Sequence, residues 1–293
     1  MNNRQNHPLA GLRVAKMNGA GNEIVVLDLR GSQARVTPED ARAIGAAPGL
    51  HYDQLMTLHD PARFDAAAAM KIFNIDGSLS GACGNGTRCV AWELMRDGAR
   101  RDLLLESDGG LLRVTRDADF SFTVDMGRPK LGWRDIPLSG DGADTARVAL
   151  VPPVAGAPAE FSAVSMGNPH AVFFVSDAMA VNLARVGAAI ETHPLFPERV
   201  NVSFAHARAR DSILLRVWER GAGATRACGT AACATAVAGA RLGLTDRAAT
   251  LSLPGGDLRI HWRESDDHVL MTGPVELEFE TTLDPAIFAR EAS

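Results

Sequence analysis

The segment Cys83-Gly84-Asn85-Gly86-Thr87-Arg88-Cys89 is answered by Cys228-Gly229-Thr230-Ala231-Ala232-Cys233, an offset of 228 − 83 = 145 residues. A second landmark keeps nearly the same step: Gly21-Asn22 precedes the apolar run Ile24 to Leu27, and Gly167-Asn168 precedes Ala171 to Val175, 167 − 21 = 146 residues on. Two landmarks in step indicate a duplicated unit. A chain of 293 residues also exceeds the size at which a single core is usual, about 100–200 residues per domain, so each copy is expected to carry its own core.

Each cysteine stands after a strand-like segment and before a helix-like one, with glycine marking the turn. In the first copy the strand is Met70 to Phe73 and the helix Thr87 to Met95, stopped near Gly98; in the second they are Ser212 to Trp218 and Thr230 to Leu242, stopped near Gly243. The second helix carries small residues on every side, which predicts a helix enclosed in a tight shell. Elsewhere strands dominate: Leu12 to Lys16, Ile24 to Leu29, Leu103 to Glu106, Leu111 to Thr115, Phe122 to Met126, Ala171 to Val175, Leu258 to Trp262 and Val269 to Thr272. Leu138 to Pro158, rich in Gly, Ala and Pro, reads as irregular chain. The expected fold class is α+β, two similar units that each wrap sheet around a central helix.

Several function classes are disfavoured. The polar opening from Met1 to His7 has no apolar core of a signal peptide, and no stretch reaches the roughly 20 apolar residues of a membrane span, which predicts a cytoplasmic protein. A net charge of −5 gives no electrostatic reason for a nucleic-acid or anionic-membrane partner, leaving a small molecule as the expected ligand. Four cysteines are too few for a disulfide scaffold, and their spacings miss the two-residue spacing of structural zinc sites, so no metal is expected. The three lysines, Lys16, Lys71 and Lys130, lack a glycine-rich phosphate cup, so no Schiff-base cofactor is expected.

A cysteine at a helix start faces unpaired N–H groups and the positive end of the helix dipole, both of which favour a thiolate. The same N–H groups suit a carboxylate. Two such sites facing one cleft would put the α-carbon of an amino acid between two thiols, one removing a proton while the other delivers one to the opposite face. On this reading Cys83 and Cys228 carry the chemistry, and Cys89 and Cys233, inside their helices among Val90, Leu94, Ala234 and Val237, serve packing.

The chain resembles the diaminopimelate epimerase family over nearly its full length. The resemblance rests on Lys16-Met17-Asn18-Gly19-Ala20-Gly21-Asn22-Glu23, Asp53-Gln54, Phe73-Asn74-Ile75-Asp76-Gly77-Ser78, the first cysteine segment, Gly167-Asn168-Pro169-His170, Phe196-Pro197-Glu198-Arg199-Val200-Asn201, Glu219-Arg220-Gly221 and Ala227-Cys228-Gly229-Thr230. It implies two pseudo-symmetric domains, each a mixed or antiparallel sheet wrapped as a barrel around a central helix: residues 1–127 completed by 275–293, and 128–274. It implies a cofactor-independent interconversion of LL- and meso-diaminopimelate in lysine and peptidoglycan precursor biosynthesis, by a homodimer. Cys83 and Cys228 are then the acid–base pair, Gly84, Asn85, Gly229 and Thr230 donate to the reacting carboxylate, and Asn22, Gln54, Asn74, Asn168, Asn201 and Arg220 contact substrate. His170 and Glu219 match positions that act in catalysis, through contacts with the reacting amino group.

Departures from the family pattern are Asn18 for His, Glu23 for Asp, Gly81-Ala82 for a more acidic approach, Ala224 for Glu and Ala231 for Gly. They touch loops and surroundings of the site, not the thiols. Alternatives are a proline or hydroxyproline racemase, whose usual Cys-Gly-His-Gly is absent, and a thiol redox protein in which Cys83 and Cys228 form a disulfide.

Overall fold

The computed structural model describes residues 7–81, 83–142 and 144–289. The polar opening Met1 to Asn6, and Ala82 of the approach to Cys83, lie outside them. The chain divides into two compact units, Met1–Val124 with Pro274–Ser293, and Asp125–Gly273.

In the first unit the order is β1 (Arg13–Asn18), β2 (Glu23–Asp28), α1 (Pro38–Ala46), β3 (Gln54–His59), β4 (Ala68–Asn74), β5 (Leu79–Ser80), α2 (Gly84–Met95), β6 (Asp102–Ser107), β7 (Gly110–Ala118) and β8 (Ser121–Asp125). Strands β1 to β4 pair consecutively, with β2 and β3 parallel and the other pairs antiparallel. β4 then pairs in parallel with β6 and carries the short β5, and β6, β7 and β8 form a meander. Helix α1 begins with a capping box, Thr37 and Asp40 exchanging side-chain and backbone hydrogen bonds, with Pro38 at the first helical position.

The second unit comprises β9 (Val148–Ala149), β10 (Glu160–Ser165), β11 (Pro169–Phe174), α3 (Leu183–Glu191), β12 (Asn201–Ala209), β13 (Ser212–Glu219), β14 (Gly223–Thr225), α4 (Gly229–Arg241), β15 (Ala248–Leu253), β16 (Gly256–Trp262) and β17 (Val269–Pro274). Its ladder repeats the first: β10 with β11 antiparallel, β11 with β12 parallel, β12 with β13 antiparallel, β13 with β15 parallel, and a β15–β16–β17 meander. β14 hangs on β13 as β5 does on β4. The last strand, β18 (Glu276–Thr282), returns to pair antiparallel with β1, the place that β9 takes beside β10.

Register makes the duplication residue-specific. Ile24 stands opposite Gln54 in the parallel pair of the first unit, and His170 opposite Asn201 in the second. Gln54 faces Asn74 across β3 and β4; one rung beyond Val202 and Trp218, Asn201 meets the end of β13 at Glu219. Asn22 and Asn168, Gln54 and Asn201, Asn74 and Glu219, and Cys83 and Cys228 are therefore equivalent positions.

The strand segments expected from alternation are strands, their ends shifted by no more than three residues. Both cysteine helices start earlier than expected, at Gly84 instead of Thr87 and at Gly229 instead of Thr230, because each cysteine is itself the N-cap. Within Leu138 to Pro158 only the short β9 forms a strand among the described residues. Helix α4 is buried from Gly229 to Gly239 and packs on β10, β11, β12, β15 and β16. That enclosure fits its run of small side chains, in which Val237 and the threonines are the bulkiest of the buried residues. Replacing the fully buried Ala234 by Leu should therefore destabilise the protein by about 1–3 kcal/mol. A urea unfolding midpoint unchanged from wild type would contradict the enclosure.

Candidate functional site

In the first unit the extended backbone of Cys83 caps α2, and its Sγ accepts the Gly86 N–H at 3.2 Å. Gly86 sits close to the sulfur: a Cβ there would stand 3.3 Å from Cys83 Sγ and 2.6 Å from Met56 Sδ, so the Met56 side chain would have to shift. Two amide oxygens face the same sulfur, Gln54 Oε1 at 3.5 Å and Asn22 Oδ1 at 3.7 Å, each an acceptor for an S–H. They come from the first residue of β3 and the residue just before β2, neighbouring strand starts held side by side by the parallel pairing.

Around this cluster the first turn of α2 is buried, with Asn85 3% exposed. Its side-chain oxygen accepts from Arg88, which is fully buried. Gly19 passes so near that a Cβ would stand 3.0 Å from the Asn85 carbonyl oxygen. Asn74 closes the β4–β5 hairpin, its Nδ2 donating to Ser78 Oγ at 3.0 Å. The departure residues Asn18 and Glu23 brace the loop: Asn18 Oδ1 accepts from the Gly21 N–H, and Glu23 accepts from the buried Lys16 at 2.6 Å.

In the second unit Cys228 caps α4 and lies 3.5 Å from Thr230 Oγ1. Asn168 Nδ2 donates to that hydroxyl at 3.3 Å, and its Oδ1 meets His170 Nε2 at 2.9 Å. Asn201 spends both ends of its amide on the scaffold, donating to the Pro169 carbonyl and accepting the Arg220 N–H. The exposed Arg220 guanidinium donates to the Glu198 carbonyl at 3.1 Å.

A helix start favours a thiolate, and at Cys228 burial works against it. Burial pushes the thiol pKa well above its ordinary value, and the nearby Glu219 carboxylate adds to the rise; hydrogen bonds from Thr230 and Ala231 oppose without winning. Cys89 is pushed up to about 12 by burial, in keeping with a packing role. His170, fully buried, is pushed down to about 3, first by burial and then by the Arg220 charge, so its imidazole is neutral. Its placement under Asn168 suits orienting that amide.

Two carboxylates that sequence reasoning left without a role also brace the site. Asp53 Oδ2 accepts from Asn22 Nδ2 at 2.9 Å and from the Glu23 N–H at 2.8 Å. Glu191, at the end of α3, accepts from Trp218 Nε1 at 2.7 Å and the Gly221 N–H at 2.9 Å, clamping the chain on both sides of Glu219 and Arg220. Asp53 adjoins Gln54 in a matched motif and could have been found there; Glu191 carries no local signal. Among the described residues no group of three or more His, Cys, Asp or Glu could hold a metal, and no helix is long and apolar enough to cross a membrane.

The sequence model of the family described as diaminopimelate epimerase matches residues 14–132 and 162–278. A diaminopimelate epimerase of Methylocella silvestris is 56% identical over 98% of this chain and 100% of its own length. One of a Methylobacterium species is 59% identical over 97% and 99%. Among solved structures, a predicted epimerase of Pseudomonas aeruginosa superposes with a TM-score of 0.66 at 19% identity, covering 93% of this chain and 99% of that one. A hydroxyproline epimerase of Agrobacterium vitis superposes with a TM-score of 0.65 at 15% identity, covering 93% and 92%. At those identities the structural likeness speaks to the fold.

The depressed pKa of His170 has a stability consequence. Between its folded value of about 3 and the free value of 6.5 the unfolded chain binds a proton that the folded chain does not. The contribution of His170 is therefore complete above pH 6.5 and is lost progressively as pH falls toward 3. In a nitrogen-15 NMR titration, the His170 ring should stay neutral from pH 8 to pH 5; a midpoint near 6.5 would contradict the burial.

Proposed function

This chain belongs to the diaminopimelate epimerase family, and from that membership we propose that it interconverts LL- and meso-diaminopimelate by proton transfer through Cys83 and Cys228. The observation that carries the reading is the recurrence of one arrangement in both units: a cysteine capping a buried helix, beside the strand start that bears Asn22 or Asn168.

The first-turn N–H groups at Gly84, Asn85, Gly229 and Thr230 are donors for the α-carboxylate and for the negative charge that develops when the α-proton leaves. One of Cys83 and Cys228 removes the α-proton while the other delivers a proton to the opposite face, and the reverse direction exchanges their roles; burial and Glu219 favour the protonated form of Cys228. Arg220 suits the distal carboxylate, which a guanidinium can grip with two parallel N–H groups. Asn201 supports that grip through the Arg220 backbone, and Asn22, Gln54, Asn74 and Asn168 supply amides for the ammonium and carboxylate groups. His170 acts through Asn168. The family reading extends to a cytoplasmic homodimer that needs no added cofactor.

Incubation with LL-diaminopimelate in deuterated water, with no cofactor, should yield the meso isomer carrying deuterium at the inverted centre; no isomer and no exchange would overturn the reading. Cys83→Ala and Cys228→Ala should each lower epimerisation by at least about 1,000-fold, since each removes an acid–base group worth about 10²–10⁴ along with its place in a two-base step. Cys89→Ala and Cys233→Ala should keep turnover within a few-fold while losing stability.

A further inference from the structure

We propose that Asp53 is a positioning residue that fixes the side-chain amide of Asn22 so that its oxygen, not its nitrogen, faces the Cys83 sulfur. The inference rests on the reading of Cys83 as an acid–base group. It concerns a residue that touches neither the sulfur nor the first turn of α2 through any bond described above.

An ionised carboxylate accepts hydrogen bonds and cannot donate them. Asp53 Oδ2 lies 2.9 Å from Asn22 Nδ2, so the Asn22 amide must turn its NH2 toward Asp53 and its Oδ1 away, toward Cys83 Sγ at 3.7 Å. Asp53 is itself held in place: its oxygen takes the Glu23 N–H at 2.8 Å, and its own N–H donates to the Glu23 carbonyl at 2.8 Å. This reciprocal pair laces the residue before β3 to the first residue of β2. The equivalent amide in the second unit, Asn168, meets the His170 ring and the Thr230 hydroxyl instead, groups that can each donate or accept.

The effect on Cys83 follows from what surrounds it. The Gly86 N–H favours a thiolate, whereas the oxygens of Asn22 and Gln54 favour S–H. Charged groups nearby are the Asp53 carboxylate, the Lys16–Glu23 pair and Arg88 beneath Asn85. With Asn22 locked, Cys83 has an acceptor for its proton in the half of the reaction in which it carries one. With Asn22 free to turn over, an N–H would face the sulfur and the thiolate would gain.

Asp53→Asn keeps size and polarity but can donate as well as accept, which releases the lock. Alkylation of Cys83 by iodoacetamide, followed by mass spectrometry of its peptide, reads the result without needing turnover. At neutral pH, Asp53→Asn should speed Cys83 alkylation about 3-fold for each pH unit by which the alkylation midpoint falls, the gain in thiolate outweighing its lower nucleophilicity; on the high-pH plateau the rate should fall below wild type. Turnover of diaminopimelate should drop about 10-fold or more in kcat, with KM changed less. Asn22→Ala removes the oxygen directly and should also raise the neutral-pH rate, and Asp53→Asn added to it should change the alkylation rate no further. An Asp53→Asn protein with the wild-type melting temperature and wild-type alkylation at every pH would overturn the proposal, as would an effect of equal size in the Asn22→Ala background. Because alkylation is read in the absence of substrate, a protein inactive on diaminopimelate would refute the proposed reaction and leave this outcome readable.

Discussion

Burial of two helix starts is the constraint from which the site follows. A helix leaves its first N–H groups without partners inside itself, and sinking that end into a sheet obliges the chain to satisfy them. At α2 the cap is a sulfur, with the Gly86 N–H on Cys83; at α4 the sulfur sits against Thr230 in the same setting. Small residues make the approach possible, with Gly86 against Met56 and a run of alanines through α4. Both polar ends thus face the strand starts that carry the amides, a consequence of packing before it is one of chemistry.

The two halves share a skeleton and differ in charge. Ile24 stands where His170 stands, and Asn74 where Glu219 stands. Around Cys83 the close groups are neutral amides, while Cys228 lies deeper and next to an anion that holds its proton. The duplication supplied the matching positions, and divergence at a few rungs of the ladder supplied the difference.

Much of this was visible in the chain because it is local. Alternation marked β1, β2, β4, β6, β7, β8, β11, β13, β16 and β17 but not β3, β10, β12, β15 or β18, and the repeated Cys-Gly turn marked both helix starts, although the N-caps shifted those starts by up to three residues. Helices α1 and α3 were passed over although both were readable: α1 in Thr37, Pro38 and Asp40, and α3 in its Asn182 cap and in Leu183, Val186 and Ile190 recurring on one face. What stayed hidden depends on register. That Asn201 uses its amide to hold Arg220, that His170 meets Asn168, and that Glu191 clamps the turn from Trp218 and Gly221, 27 and 30 residues away, are outcomes of tertiary pairing, which no spacing in one segment encodes.

The placement of β18 bears on how the molecule is made. It occupies beside β1 the position that β9 holds beside β10, yet it follows the whole second unit in the chain. On the ribosome every strand of the second unit is synthesised before the first can close its sheet, because β1 waits with one edge unpaired for a strand translated last. Synthesis begins with the first unit and completes the second before it, and in that interval the edge of β1 that β18 will cover is open to wrong pairing.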